Sequence, residues 1–189
     1  MKTLISFVSV FVLSALLWTS PVLGVVNQVN QVNEDLMQAI RGNNIQAVKD
    51  ALAKGVNVNA LDKDGWTPLM YIAPNTAAEI VKLLLEKGAD VNIKDWLGWS
   101  PLMTSALYGR TEIGKLLIEK GAKVNEKSNA GWTPLMYAAY NGHIEIGKLL
   151  IEKGADVNTK SRDGQSALSL AEARLDSAFV EMLKHAGAK

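Results

Sequence analysis

"GWTPLMYAAYNGHIEIGKLLIEKGADVN", Gly131 to Asn158, holds one complete structural unit. Gly131 marks a turn, Thr133 suits a helix N-cap, and Pro134 takes the first helical position, where a missing N–H costs nothing. A first helix of about two turns follows; in the preceding copies its apolar stripe is set by residues such as Leu69, Ile72 and Ala73. "YNGH" at 140–143 is a short turn. A second helix carries Ile144, Ile146, Leu149, Leu150 and Ile151 until Gly154 stops it in the left-handed conformation that only glycine adopts cheaply. "ADVN" leads out to the next turn.

The unit recurs with a step of 33 residues. Gly65, Gly98, Gly131 and Gly164 keep that step, as do Trp66, Trp99 and Trp132, and Leu69, Leu102, Leu135 and Leu168. Gly55, Gly88, Gly121, Gly154 and Gly187 form a second series. "GWTPLM" at 65–70 returns at 131–136 and as "GWSPLM" at 98–103, so Thr67, Ser100 and Thr133 precede Pro68, Pro101 and Pro134. Small residues at Ala73, Ala106 and Ala139 let neighbouring first helices approach, so each unit buries its face on the next.

The pattern D-x-x-G-x-T-P-L-x-x-A-A-x-x-G-H-x-E-I-x-x-L-L-x-x-G-A-D-V-N resembles the ankyrin repeat over about residues 34–189, and with the layout of residues 1–24 the expectation is an exported, bacterial-type member of that family. The resemblance implies an all-α ankyrin-repeat solenoid of stacked helix-turn-helix units joined by β-turn or hairpin loops. Its five repeats are expected at 34–61, 62–94, 95–127, 128–160 and 161–189, the first and last being degenerate caps. The family's histidine after Thr-Pro-Leu is replaced here by Met70, Met103 and Met136, so these turns are expected to rely more on packing and to be slightly looser. "PNTA" at 74–77 puts Thr76 where the family's glycine stands.

Residues 1–24, "MKTLISFVSVFVLSALLWTSPVLG", differ from the rest. One lysine, an apolar run from Leu4 to Trp18, then Pro21 and small residues give the layout of a secretory signal peptide cleaved after Gly24. The run falls short of the roughly 20 residues that span a bilayer, so membrane attachment would come only through an uncleaved signal. The expected location is the periplasm or the extracellular space. "VVNQVNQVN" at 25–33 reads as a linker, with a strand-like lead-in as the other reading.

Formal charge is +1, from 20 basic and 19 acidic residues. Losing Lys2 with the signal leaves 19 against 19, with no block of like charge, so neither nucleic acid nor an anionic membrane is favoured as a partner. The absence of cysteine removes disulfides, thiolate metal sites, cysteine nucleophiles and a lipoprotein anchor.

Two strings tempt an enzymatic reading. "GRTEIGKL" at 109–116 and "GHIEIGKL" at 142–149 match the start of a phosphate-binding loop, but Leu116 and Leu149 stand where magnesium needs a hydroxyl. The repeat also places Gly114 and Gly147 inside a helix. "HIE" at 143–145 shares H-x-E with zinc deaminases, whose other ligands are cysteines. His143 and His185 are the only histidines, and His143 occupies a position where ankyrin repeats commonly have one. Glu79, Glu112 and Glu145 are expected near helix N-termini, where negative charge is favoured. No enzyme activity, cofactor, metal or small-molecule substrate is expected.

In proteins that this chain resembles, partners are held by the turn tips and the exposed side of the first helices, and the expected binding surface here is the concave face together with the turn tips. Here the tips carry Lys63, Asp64 and Trp66; Trp96, Leu97 and Trp99; Asn129, Ala130 and Trp132; and Arg162, Asp163 and Gln165. Tyr108 and Tyr140 end first helices, and Tyr71, Thr104 and Tyr137 are expected to line the same groove. Trp66, Trp99 and Trp132 recur by period and serve packing as well as contact. Trp96 and Leu97 do not recur, which marks them as a binding hot spot flanked by Tyr108 and Tyr140, although Trp96 folding back onto Trp99 or a neighbouring turn would also satisfy the sequence. The expectation is a monomeric module that binds a protein of unknown identity. A dedicated accessory or inhibitor subunit of an exported enzyme and a secreted effector are the alternatives.

Overall fold

The computed structural model describes residue 31 and residues 33–72 and 74–189. The proposed signal, residues 1–24, lies outside the described residues, as does most of the 25–33 stretch and Ala73. Among the described residues the chain runs through helical residues 33–41 (α1), Ile45–Ala53 (α2), a 3-10 turn at Pro68–Met70, Ala78–Glu86 (α3), Pro101–Leu107 (α4), Thr111–Glu119 (α5), Pro134–Asn141 (α6), Ile144–Glu152 (α7), Ala167–Ala173 (α8) and Ser177–His185 (α9), with no strand. Residues 31 and 33 are already helical, so a linker reaching residue 33 is corrected at its C-terminal end. Gln31 donates to Asp35 at 3.0 Å and Gln38 to Glu34 at 3.1 Å, pairs four residues apart that brace this first helix.

First helices stack on first helices, α4 on α6 on α8, and second helices on second helices, from α2 through α3, α5 and α7 to α9. The 33-residue step runs straight through the core. Ile80, Ile113, Ile146 and Phe179 are buried one above another, as are Leu84, Leu117, Leu150 and Leu183. Full burial of each such side chain contributes about 1.5–3 kcal/mol. Gly114 and Gly147 lie inside α5 and α7, where a Cβ would come within 2.9 Å of Ile146 and 2.6 Å of Phe179 respectively. Those glycines serve close packing between second helices, which accounts for the G-K strings without a phosphate.

Local chemistry fixes the ends of each unit. The Ser100, Thr133 and Ser166 hydroxyls accept from the N–H three residues on, at 3.4, 3.4 and 3.2 Å. Met103 and Met136 are buried where the family's histidine would stand, and the Met70 sulfur accepts the Thr67 N–H at 3.4 Å. Gly154 follows α7 with φ +86°, as its sequence position requires.

The second repeat departs from expectation. A two-turn first helix is predicted there, but only Pro68–Met70 forms, as a 3-10 turn. Pro74 disfavours helical geometry in the residue before it and has no N–H to give. Neighbouring side chains hold the irregular stretch: Asn43 Oδ1 accepts the Ala77 N–H at 2.8 Å, and Arg110 donates to the Pro74 carbonyl and, at 2.6 Å, to that of Thr76.

A periodic clamp joins the loops. Asn59 donates through Nδ2 to the Gly88 carbonyl at 3.3 Å while its Oδ1 accepts the Asp90 N–H at 2.8 Å. Asn92 does the same to Gly121 and Lys123, Asn125 to Gly154 and Asp156, and Asn158 to Gly187 and Lys189. Each asparagine satisfies one acceptor and one donor of the next repeat, and so orders loops that have no ladder of their own.

Candidate functional site

Short side chains at the base of each turn build the tips. Asp62 Oδ1 accepts the N–H groups of Asp64 and Trp66, both at 2.8 Å, and Asp95 Oδ1 those of Leu97 and Trp99 at 2.9 and 2.8 Å. In later repeats the Ser128 and Ser161 hydroxyls accept from Trp132 and Gln165. Adjacent tips are tied by backbone bonds, Asn129 N–H to the Leu97 carbonyl at 2.9 Å and Arg162 N–H to that of Ala130 at 3.0 Å. The tips are therefore a preformed surface, with side chains standing off an ordered backbone.

Trp96 lies along the preceding turn, where a Cβ on Gly65 would come within 2.6 Å of its ring. It nevertheless stays 67% exposed, and Leu97 64%. Trp96 therefore combines both readings of the sequence: it folds onto a neighbouring turn, and it offers most of its surface to solvent. It is not among the residues that line the groove beside it.

That groove has a volume of about 430 Å³ and is lined by Trp99, Leu107, Ala130, Trp132, Tyr137 and Tyr140. Tyr137, 6% exposed, forms the floor between two tryptophans, its ring centroid 4.5 Å from Trp99 and 5.1 Å from Trp132. Tyr140 meets Trp132 edge-on at 5.4 Å, in the arrangement aromatic quadrupoles favour. Burial raises the Tyr137 phenol above its ordinary pKa and the Asp95 charge adds to this, against a hydrogen bond with Ser128 that pulls the other way. Tyr140 and Tyr108, at the ends of α6 and α4, are exposed.

Trp66 and Tyr71 belong to a second cluster, their centroids 5.3 Å apart. Arg41 from α1 lies over the Tyr71 ring at 4.5 Å, donates to its hydroxyl, and is 3.8 Å from Asp62. The Tyr71 hydroxyl in turn donates to Asp62. Burial alone would raise the Asp62 pKa, but the bonds from Tyr71, Trp66 and Asp64 and the Arg41 charge outweigh it and hold the carboxyl below its usual range. Tyr71, expected in the same groove as Tyr137, is thus closed over by arginine. Thr104 is 3% exposed and contributes little surface.

The remaining candidates are structural in their contacts. His143 Nε2 lies 3.0 Å from the Leu107 carbonyl, which can only accept, so that nitrogen carries the proton. Glu79, Glu112 and Glu145 sit in the first turns of α3, α5 and α7. Among the described residues no group of three metal-ligating side chains comes together, and no helix is long and apolar enough to cross a membrane. The roles of Arg41, Asp62 and the four clamp asparagines went unnoticed in the sequence; Asp62, repeated as Asp95, and the asparagines left a signal there in the 33-residue step, and Arg41 left none.

Known proteins match the same stretch. A family model described as ankyrin repeats (3 copies) matches residues 36–128 and 121–189. Over 53 residues the chain is 42% identical to the ankyrin repeat, SAM and basic leucine zipper domain-containing protein 1 of Mus musculus, an alignment covering 28% of this chain and 11% of that protein. Over 37 residues it is 54% identical to the ankyrin repeat protein FPV223 of Fowlpox virus (strain NVSL), covering 20% of this chain and 26% of the other. The chain spans a minor part of both relatives, and the likeness is one of repeats.

Proposed function

Because the chain belongs to the ankyrin-repeat family, whose repeats generally mediate protein–protein interaction, we propose that it is a non-catalytic module that binds a partner protein through its turn tips and first-helix ends. The observation that carries this reading is the aromatic groove lined by Trp99, Trp132, Tyr137 and Tyr140, together with Trp96, Leu97 and Tyr108 exposed on the turn and first-helix end of the third repeat. Tryptophan and tyrosine are the residues that dominate interface energetics. The hydrogen-bonded tips need little ordering on binding, which lowers the entropic cost.

The test is a pull-down from the native cell with three baits, read by mass spectrometry. Wild type is expected to recover a protein that Trp132→Ala/Tyr140→Ala loses while remaining folded by circular dichroism, with a smaller loss for Trp96→Ala/Leu97→Ala. Equal recovery by all three removes this surface from the interaction, and recovery by none removes the binding reading. One stoichiometric partner that is itself an enzyme favours the accessory or inhibitor reading; a partner found only in another cell favours the effector reading. We place the protein in the periplasm or outside the cell on the layout of residues 1–24 alone, since the mouse and poxvirus relatives lend no support to a bacterial type. N-terminal mass spectrometry of the native protein, expected to begin at Val25, tests that.

A further inference from the structure

Charge around the groove narrows what can sit in it, given the protein-binding reading on which this inference rests. Inside, the walls are rings, and Trp99 and Trp132 cover those of Tyr137, so the space of about 430 Å³ suits a large apolar side chain that gains by leaving water. At the Tyr140 rim the charge is positive. Arg174, exposed at the end of α8, donates to the Tyr140 backbone carbonyl at 3.1 Å. Its guanidinium lies against Gly142, where a Cβ would come within 2.7 Å of it. That pins the head of a long side chain before any partner arrives, so little of its freedom remains to be lost on binding.

The carboxylates near Arg174 in the chain are engaged elsewhere. Glu172 pairs with Lys184 at 3.9 Å, Glu145 with Lys148 at 3.3 Å, and Asp176 caps α9 by accepting the Phe179 N–H at 3.0 Å. Among the described residues Arg174 has no ion-pair partner, whereas Arg41 at the far end of the stack lies 3.8 Å from both Glu34 and Asp62. The opposite end of the groove is negative: Asp95, 8% exposed, accepts the Leu97 and Trp99 N–H groups under the turn that carries Trp99. An acidic group therefore belongs at the Tyr140 rim and not at the Trp99 end. We propose that the groove takes a large apolar side chain from a partner segment that carries a carboxylate within two residues of it, the carboxylate meeting Arg174. The N–H groups of a guanidinium give charge-assisted bonds to such a carboxylate.

The experiment titrates the full chain with capped peptides Gly-X-X-Phe-X-X-Gly, in which X is glutamate, glutamine or lysine, while following the indole N–H signals of Trp99 and Trp132 by NMR. The glutamate peptide is expected to bind about threefold more tightly than the glutamine peptide, the scale of an exposed ion pair, and the lysine peptide to bind least. Salt at about 1 M, where the Debye length is about 3 Å, should shrink the preference. Arg174→Gln is expected to remove the preference while binding of the glutamine peptide persists, and Arg174→Lys, which keeps the charge, to retain part of it. Trp132→Ala, checked as folded by circular dichroism, should lose all three peptides. Equal binding of glutamate and glutamine, tighter binding of lysine, a preference unchanged in Arg174→Gln, or no response of either indole would each overturn the assignment. The pull-down separates the two failures: a captured partner lost on Trp132→Ala/Tyr140→Ala but held undiminished by Arg174→Gln keeps the surface without the acid, and no captured partner ends both.

Discussion

The second and fourth repeats, residues 62–94 and 128–160, begin with the same "GWTPLM" and end differently. In the fourth, that string opens the helix Pro134–Asn141, Gly142 turns the chain with φ 73°, and α7 follows. In the second, Pro74 and Thr76 interrupt the pattern, the helix shrinks to Pro68–Met70, and α3 starts at Ala78, its N-cap Ala77 having no side chain to cap it. The fourth repeat closes its helix and turn with its own backbone, and Arg174 of the next repeat adds one bond, to the Tyr140 carbonyl at 3.1 Å. The second borrows its order from Asn43 and Arg110 on either side. A repeat can thus lose half its regular structure and keep its place in the stack, at the cost of depending on its neighbours.

The largest test of that contrast asks whether the shared second helices are equally firm. Ile80→Ala and Ile146→Ala each remove a side chain with no exposed surface, so both are expected to destabilise by about 2–5 kcal/mol in urea unfolding. A much milder Ile80→Ala would mean that the irregularity has loosened α3 as well. Next comes Arg110→Ala against His143→Ala. Arg110 supplies two charge-assisted bonds across its joint where His143 supplies one, so losses of about 2 and about 1 kcal/mol are expected. Hydrogen exchange should accelerate at residues 75–77 in the first variant, with no such cluster in the second. A smaller effect, about 1 kcal/mol, is expected for Asn43→Ala, which strands the Ala77 N–H.

The smallest effect is one of pH. The Asp62 carboxyl is held below its usual range, and a lowered folded value stabilises above the unfolded value, a gain lost as pH falls through the folded one. Stability is therefore expected to drop on acidification below the ordinary aspartate range, and Asp62→Asn should shrink that limb of the melting-temperature profile. An unchanged limb would remove Arg41, Tyr71 and Asp62 as a stabilising link between the first two repeats.

How much of this was legible follows from where each signal lies. The step of 33 residues, the Thr-Pro starts and the glycine stops are local, and they set the stack correctly. The failure of the second repeat's first helix was written in Pro74, but the regularity of the neighbouring copies masked it. Trp96 could be flagged as out of pattern, yet its resting place on Gly65 is 31 residues away and has no local mark. Arg41 over Tyr71 spans 30 residues and pairs a degenerate cap with an irregular repeat, so neither periodicity nor motif announces it. The groove itself draws Trp99 and Leu107 from one repeat and Ala130, Trp132, Tyr137 and Tyr140 from the next, a pairing that emerges only when repeats are laid over one another in space.

The asparagine clamp bears on how such a chain can grow. Asn59, Asn92, Asn125 and Asn158 each reach only into the next loop and meet backbone atoms there. Nothing in that joint reads the identity of the neighbour's side chains. A tandem duplication of a 33-residue block would arrive with its own asparagine and its own waiting carbonyl and amide, and the clamp would close at both new seams without further substitution. Length is then free to vary among descendants of one gene, while the faces that meet partners diverge copy by copy, as Trp96 and Leu97 have already done.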